Sequence, residues 1–231
     1  MPYSILLIGD SLTEGYSQYG LVFHPYAQTL QKLFDKAGID VMIEQKGVSG
    51  ERVCAGTMQQ RLRESLTARR ETGNKFDWVV IMAGTNDLAS PSANKIFESL
   101  KEMYDICEEY NAKVLALSIL ENGWVNSSER NNRSRSQSNA MIKSYIEGRM
   151  QTPASSSNLF FYDLTHDFPL ASLSDEDVQK YWDYDKLHLT PAGYDRVGEL
   201  VFGALKPLIV NELDDRVNDT EMEDENKGAN D

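Results

Sequence analysis

The feature that most restricts this chain is a repeated switch of hydrophobic period. Short apolar runs, Ile5–Ile8, Val41–Ile43, Trp78–Met82, Val114–Leu120 and Leu159–Tyr162, alternate with longer stretches whose apolar residues recur every three or four positions. A run of four to eight apolar residues reads as a strand and the 3.6-residue period as a helix, so the alternation is that of βαβ units around a parallel sheet. The first, third and fourth runs are nearly continuous in apolar residues, as strands covered on both faces must be. The second (VMIEQ) and fifth (LFFYD) turn polar early, which suits sheet edges. With right-handed crossovers these constraints give a five-stranded parallel sheet of order 2-1-3-4-5 between two helical layers, an α/β/α sandwich. Ile96, Leu100, Met103 and Cys107 form one helical stripe, and Val197, Val201, Leu205 and Leu208 another. Both read as core. Ser90-Pro91 and Thr190-Pro191 stand where the helix starts belong.

The chain has 231 residues, the size of one α/β domain, and we assign residues 1–210 to it. Asp and Glu outnumber Lys and Arg 36 to 23, a net charge of -13. That balance repels phosphate backbones and anionic lipid, so neither nucleic acid nor a membrane surface is an expected partner. Nine of the acids fall in residues 211–231, opposed only by Arg216 and Lys227. So polar a segment cannot offset its ordering entropy by burial and reads as a disordered acidic tail. Cys54 and Cys107 fit neither a disulfide framework nor a zinc spacing, and suit a reducing compartment. The run Ile5–Ile8 is too short for a signal peptide or a membrane span, so the expected location is the cytoplasm. Nothing in the sequence indicates an oligomeric state.

Ligands of an open α/β sheet bind outside the carboxyl ends of its strands. The residues just past each strand therefore matter. After the first comes Gly9-Asp10-Ser11-Leu12-Thr13-Glu14-Gly15, after the second Gly47-Val48-Ser49-Gly50, and after the third Gly84-Thr85-Asn86-Asp87. Ser11 alone would fit a helix cap, Gly50 a turn glycine and Asn86 a left-handed turn residue. Their joint placement suggests more. A serine needs a base to take its proton, and the base needs an orienting carboxylate. Of three histidines, His24 suits capping or packing, and His166 has no evident carboxylate. His188 has Asp185 three residues before it, a spacing at which one turn of loop can set a carboxylate against the ring. Asp183 is a second candidate for that role. The backbone of Gly50, the amide of Asn86 and the N–H of Ser11 could together hold an oxyanion.

At these residues the chain resembles the SGNH (GDSL) hydrolase family. Its GDSL block is matched by Gly9-Asp10-Ser11-Leu12, its oxyanion glycine by Gly50, its GxND block by Gly84-Thr85-Asn86-Asp87, and its DxxH block by Asp185-Lys186-Leu187-His188. All four blocks occur in order. The resemblance implies a flavodoxin-like sheet and a serine ester hydrolase working through an acyl-enzyme. It implies Ser11 as nucleophile, His188 as general base and acid, Asp185 as the residue orienting His188, and Ser11, Gly50 and Asn86 as the oxyanion hole. Short-chain esters, acetylated carbohydrates, lysophospholipids and thioesters are all substrates of this implied chemistry. Tyr181, Trp182 and Tyr184 beside the DxxH block, and Trp124 after the fourth strand, are candidate pocket walls.

Three rivals are weaker. The G-x-S-x-G elbow of the α/β-hydrolase fold is missing. A flavin or nucleotide binder would need phosphate-cradling loops, and neither GxxxxGK[ST] nor GxGxxG occurs. A non-catalytic scaffold would have no use for a complete nucleophilic set. No cofactor and no metal is expected, since HExxH is absent and His and Cys are few.

Overall fold

The first apolar run becomes β1 (Tyr3–Gly9), and every one of its residues is buried. It can be so only as a central strand, and the computed structural model places it there. The structure describes residues 2–123, 127–150 and 158–228, with side chains described no further than residue 213. The other strands of the sheet are β4 (Val41–Gly47), β5 (Trp78–Met82), β6 (Lys113–Leu117) and β7 (Leu159–Tyr162). All pair in parallel, in the order β4-β1-β5-β6-β7. This is the 2-1-3-4-5 arrangement of a flavodoxin-like three-layer sandwich, with the polar second and fifth runs at its edges.

Side chains of a strand alternate between faces, and the two cores divide accordingly. Leu6, Ile8, Val79 and Ile81 face α3 (Thr57–Glu71), α4 (Ala93–Glu109) and α5 (Glu129–Met150). Ile5, Leu7, Trp78 and Val80 face α2 (Ala27–Lys36) and α8 (Pro191–Gly228). The stripe Ile96, Leu100, Met103, Cys107 is buried in the first layer, and Val197, Val201 and Leu205 in the second. Truncating one such Leu to Ala costs about 2–5 kcal/mol, so each layer is a substantial part of the stability. Cys54 is half-buried, Cys107 is buried, and both are free thiols.

The strand ends differ from expectation for local reasons. β4 runs past Ile43 to Gly47, because an edge strand bonds on one side only and tolerates Glu44, Gln45 and Lys46. β6 stops at Leu117 rather than Leu120: the Asn139 side chain takes both backbone groups of Ile119, at 2.8 and 3.0 Å, in place of a neighbouring strand. A two-stranded hairpin, β2 (Tyr16–Ser17) with β3 (Val22–Phe23), has no counterpart in the sequence reading. α8 carries helical backbone as far as Gly228, into the acidic segment read as disordered. A nucleated helix gains a hydrogen bond for each added residue without a second nucleation cost. Among the described residues no helix is long and apolar enough to cross a membrane.

Where β1 ends the backbone is crowded. A Cβ on Gly9 would stand 2.1 Å from the Met82 carbonyl oxygen and 2.3 Å from Thr13 Oγ1. Only glycine fits. The next residue, Asp10, is the N-cap of the short helix α1 (Ser11–Glu14), its Oδ1 accepting from Leu12 N at 3.0 Å. Its Oδ2 is buried without a partner. Desolvation pushes this carboxyl up to about 7, against the Leu12 hydrogen bond and helped by the charges of Asp87 and Glu51. The unfolded chain gives up this proton at about 4 and the folded chain at about 7, so folding takes up a proton between those values. Stability therefore falls as pH rises through that window, by about 4 kcal/mol at ~1.4 kcal/mol per tenfold change in proton affinity, and stays lowered above it. Asp10→Asn keeps an acceptor for Leu12 and cannot ionise. It should melt higher than wild type at pH 8, with the gain fading by pH 4.5. A difference in Tm that does not vary with pH would contradict this account.

Candidate active site

The fourth block is a loop between α7 (Asp175–Tyr181) and α8, and one carboxylate shapes it. Asp185 Oδ1 accepts from the backbone N–H groups of Leu187 and His188, both at 2.9 Å. Its Oδ2 lies 2.7 Å from His188 Nδ1. The three-residue spacing thus has a physical reason: the same side chain closes the turn and meets the ring. Burial raises the Asp185 carboxyl, but the hydrogen bonds from His188 and Leu187 outweigh it and hold the group below its ordinary range. Around it Asp183 N donates to His188 O at 2.9 Å and Lys186 N to Asp183 O at 2.8 Å, with Lys186 in the left-handed region (φ 52°).

The other face of the imidazole reaches across the molecule. His188 Nε2 stands 2.9 Å from the Oγ of Ser11, the buried first residue of α1. Hydroxyl, imidazole and carboxylate therefore form one hydrogen-bonded line between residues 177 positions apart. Asp183, the rival orienter, does not touch the ring. Its Oδ2 instead accepts from Ser17 Oγ at 3.1 Å and Gln18 N at 2.5 Å, fastening the β2–β3 hairpin to the loop. Of the other histidines, His24 pairs with Asp195 at 2.9 Å and His166 lies on the short helix α6 (Leu164–Asp167).

Gly50 has φ 78°, a conformation that costs any side chain, although a Cβ there would meet nothing within 4 Å. The constraint is on backbone shape, not space. Asn86 lies in a single 3-10 turn, Thr85–Asp87, and donates one amide hydrogen to Glu51 O at 3.0 Å. A carboxamide carries a second hydrogen that can serve a ligand. Ser11 heads α1, where the helix itself offers its N–H no acceptor.

Three side chains to which the sequence alone assigns no role lock these loops together. Asp87 is fully buried and accepts from Val53 N at 2.9 Å and Cys54 N at 3.1 Å, tying the GTND turn to the segment after Gly50. Glu14 accepts from Ser49 N at 2.9 Å, tying α1 to the residue just before Gly50. Arg61, on α3, donates to Gly9 O at 3.1 Å, to Lys46 O, and to the carboxylate of Glu51. Asp87 closes the GxND block and Glu14 follows the GDSL block, but the role of each, like that of Arg61, depends on a partner distant in sequence.

A cavity of about 170 Å³ adjoins Asn86 and is also walled by Leu88, Ala89, Asn122, Asn131 and Leu187. The aromatic candidates divide. Trp182 is buried and stacked on Phe168 (centroids 5.6 Å apart, planes at 16°), and Tyr181 meets the same ring edge-on at 5.7 Å. Trp182 is a core residue, and Tyr181, the last residue of α7, is partly buried against the same cluster. Tyr184 is 82% exposed. Trp124 lies outside the described residues. Among the described residues no group of His, Cys, Asp and Glu is arranged to hold a metal ion.

Comparison with solved structures returns the same fold at low identity. A lipase/acylhydrolase from Enterococcus faecalis superposes with a TM-score of 0.68 at 20% identity, covering 89% of this chain and 96% of its own. A GDSL-like lipase from Bacteroides thetaiotaomicron gives 0.60 at 20% identity, with 89% and 88% covered. A family 3 carbohydrate esterase from Clostridium thermocellum gives 0.61 at 17% identity, with 89% and 99% covered. No curated protein matches the chain. A family model does, over residues 7–196, a span that opens within β1 and closes just beyond His188. The chain belongs to the GDSL-like lipase/acylhydrolase family.

Proposed function

We propose that this protein, a member of an ester-hydrolysing family, is a carboxylesterase that forms an acyl-enzyme on Ser11 and prefers short acyl groups. The observation that carries the reading is the unbroken line Ser11 Oγ to His188 Nε2 to Asp185, with steps of 2.9 and 2.7 Å. In the first step His188 takes the hydroxyl proton as Ser11 Oγ attacks the ester carbonyl, and Asp185 stabilises the imidazolium. The oxyanion is held by the N–H groups of Ser11 and Gly50 and by the Asn86 amide. When the intermediate collapses, His188 passes the proton to the departing alcohol. Water then attacks the acyl-enzyme with His188 again as base, and Ser11 is regenerated.

The cavity beside Asn86 supports the short acyl group. A void of about 150 Å³ holds a benzene-sized guest, so one of about 170 Å³ suits an acyl group of about six heavy atoms. Its carboxamides, Asn86, Asn122 and Asn131, are uncharged. This favours small neutral acyl groups over the long chains of a lysophospholipid, and over anionic ones.

Ser11→Ala should lower hydrolysis of p-nitrophenyl acetate by at least about a thousandfold. Activity within tenfold of wild type would end the assignment. Asn86→Ala removes one oxyanion donor and should reduce kcat about a hundredfold with little change in KM, since the charge it serves exists only in the transition state. Against p-nitrophenyl esters of rising chain length, kcat/KM should peak at or below hexanoate. A maximum at decanoate or beyond would refute the size argument. Arg61→Met leaves Gly9 O, Lys46 O and the Glu51 carboxylate without their common donor. It should lower kcat about tenfold, partly restored in Arg61→Lys, and an unaltered kcat would show that the loops hold their shape without it.

A further inference from the structure

Large apolar side chains that stand exposed are unevenly placed. Seven occur among the described residues, and four of them, Tyr19, Leu21, Phe23 and Tyr184, belong to the β2–β3 hairpin and the Asp185–His188 loop. Leu21 is 84% exposed and Tyr184 82%. Their rings are not scattered. Tyr16 lies against the imidazole of His188, with centroids 4.4 Å apart, and Phe23 meets Tyr16 edge-on at 5.9 Å. Tyr19 and Tyr184 form a second pair at 6.1 Å, one ring from the hairpin and one from the loop. Partial desolvation, the neighbouring Tyr184 and the carboxylates of Asp183 and Asp185 all raise the Tyr19 phenol above its ordinary value.

The patch is also held. Tyr194 Oη donates to Tyr16 O at 2.6 Å, and Asp183 grips Ser17 and Gln18. Gln18 (φ 50°) and Tyr19 (φ 57°) are kept in the left-handed region, which non-glycine residues enter at a cost. A monomer gains nothing by displaying four apolar side chains on a strained, clamped hairpin unless something is to lie on them.

The chemistry of the neighbouring imidazole says what. His188 must return its proton to the departing alcohol, so the alcohol half of the ester lies on the imidazole side of Ser11 and the acyl half on the Asn86 side. The apolar surface that begins at the imidazole is this one. We propose that Tyr19, Leu21, Phe23 and Tyr184, continuous with Tyr16, seat the alcohol half of the substrate, and that the substrates are esters of a small acid with an alcohol bearing a flat apolar group of ring size. The proposal rests on the acyl-enzyme reading given above and adds which half of the ester carries the selectivity.

The test compares 2-phenylethyl acetate with ethyl acetate. The two share an acyl group and release primary alkoxides of similar basicity, so the ratio of their kcat/KM values reports contact with the alcohol group. Wild-type protein should favour the phenylethyl ester about tenfold or more. In the Tyr19→Ala/Tyr184→Ala double variant the ratio should drop by about tenfold, and in Tyr19→Phe/Tyr184→Phe it should be kept. A double alanine variant that preserves the ratio, whether or not overall activity falls, overturns the seat. Ser11→Ala run on both esters keeps the two ideas apart: surviving activity there would remove the catalytic reading itself, whereas full loss there with an unmoved ratio removes only the seat.

Discussion

Three neighbouring strands end at one level, and the rest of the molecule depends on it. In the register of the sheet Gly9 pairs with Gly47 on one side and with Met82 on the other. The first two blocks of the site and the GTND turn therefore start from one line of backbone, although tens of residues separate them in sequence. A parallel sheet puts all its carboxyl ends on one side, so such a level ending gathers loops without any loop having to travel. Gly9 marks how tight the gathering is, since not even a methyl group fits between β1 and the Met82 carbonyl. Asp87, Glu14 and Arg61 then turn adjacency into fixed geometry, each by a side chain that meets the backbone of another loop.

Three aspartates near this line show how environment sets role. Asp10, buried with one oxygen unmatched, gives up its proton only near neutrality. Asp87, equally buried, meets two backbone N–H groups and has the Arg52 side chain at 3.6 Å. Asp185, partly exposed and bonded to two N–H groups and a ring nitrogen, stays ionised to lower pH. A carboxylate that must balance an imidazolium has to be of the last kind. Of the three, it is Asp185 that meets the imidazole.

Strand order and the four blocks were legible in the sequence because both rest on local signals: runs covered on two faces, edges that turn polar, and short motifs with fixed spacing. The Asp185 to His188 spacing was legible for the same reason, since it is a turn closed by its own side chain. What escaped depends on partners far away. Arg61 is one more charged residue on a helix until Gly9, Lys46 and Glu51 are seen beside it. Asp183 could not be excluded beside Asp185, because what removes it is the hairpin that Asp183 holds. That hairpin has strands of two residues each, too short to leave a period. Trp182 and Tyr184 look alike in sequence, yet one is core and the other surface: Trp182 lies in the bridge to Leu189, whereas Tyr184 stands beyond it in the turn closed by Asp183 and Lys186.

Asp183 and Asp185 stand two positions apart on one short loop, one gripping the hairpin and the other the imidazole. The hairpin is thus tied, through that loop, to the line from Ser11 to Asp185. Displacing it would pull, through Asp183, on the loop that holds His188 against Ser11, so the two cannot be repositioned independently. A lengthened hairpin would have to bring a new latch of its own for the loop to keep its place.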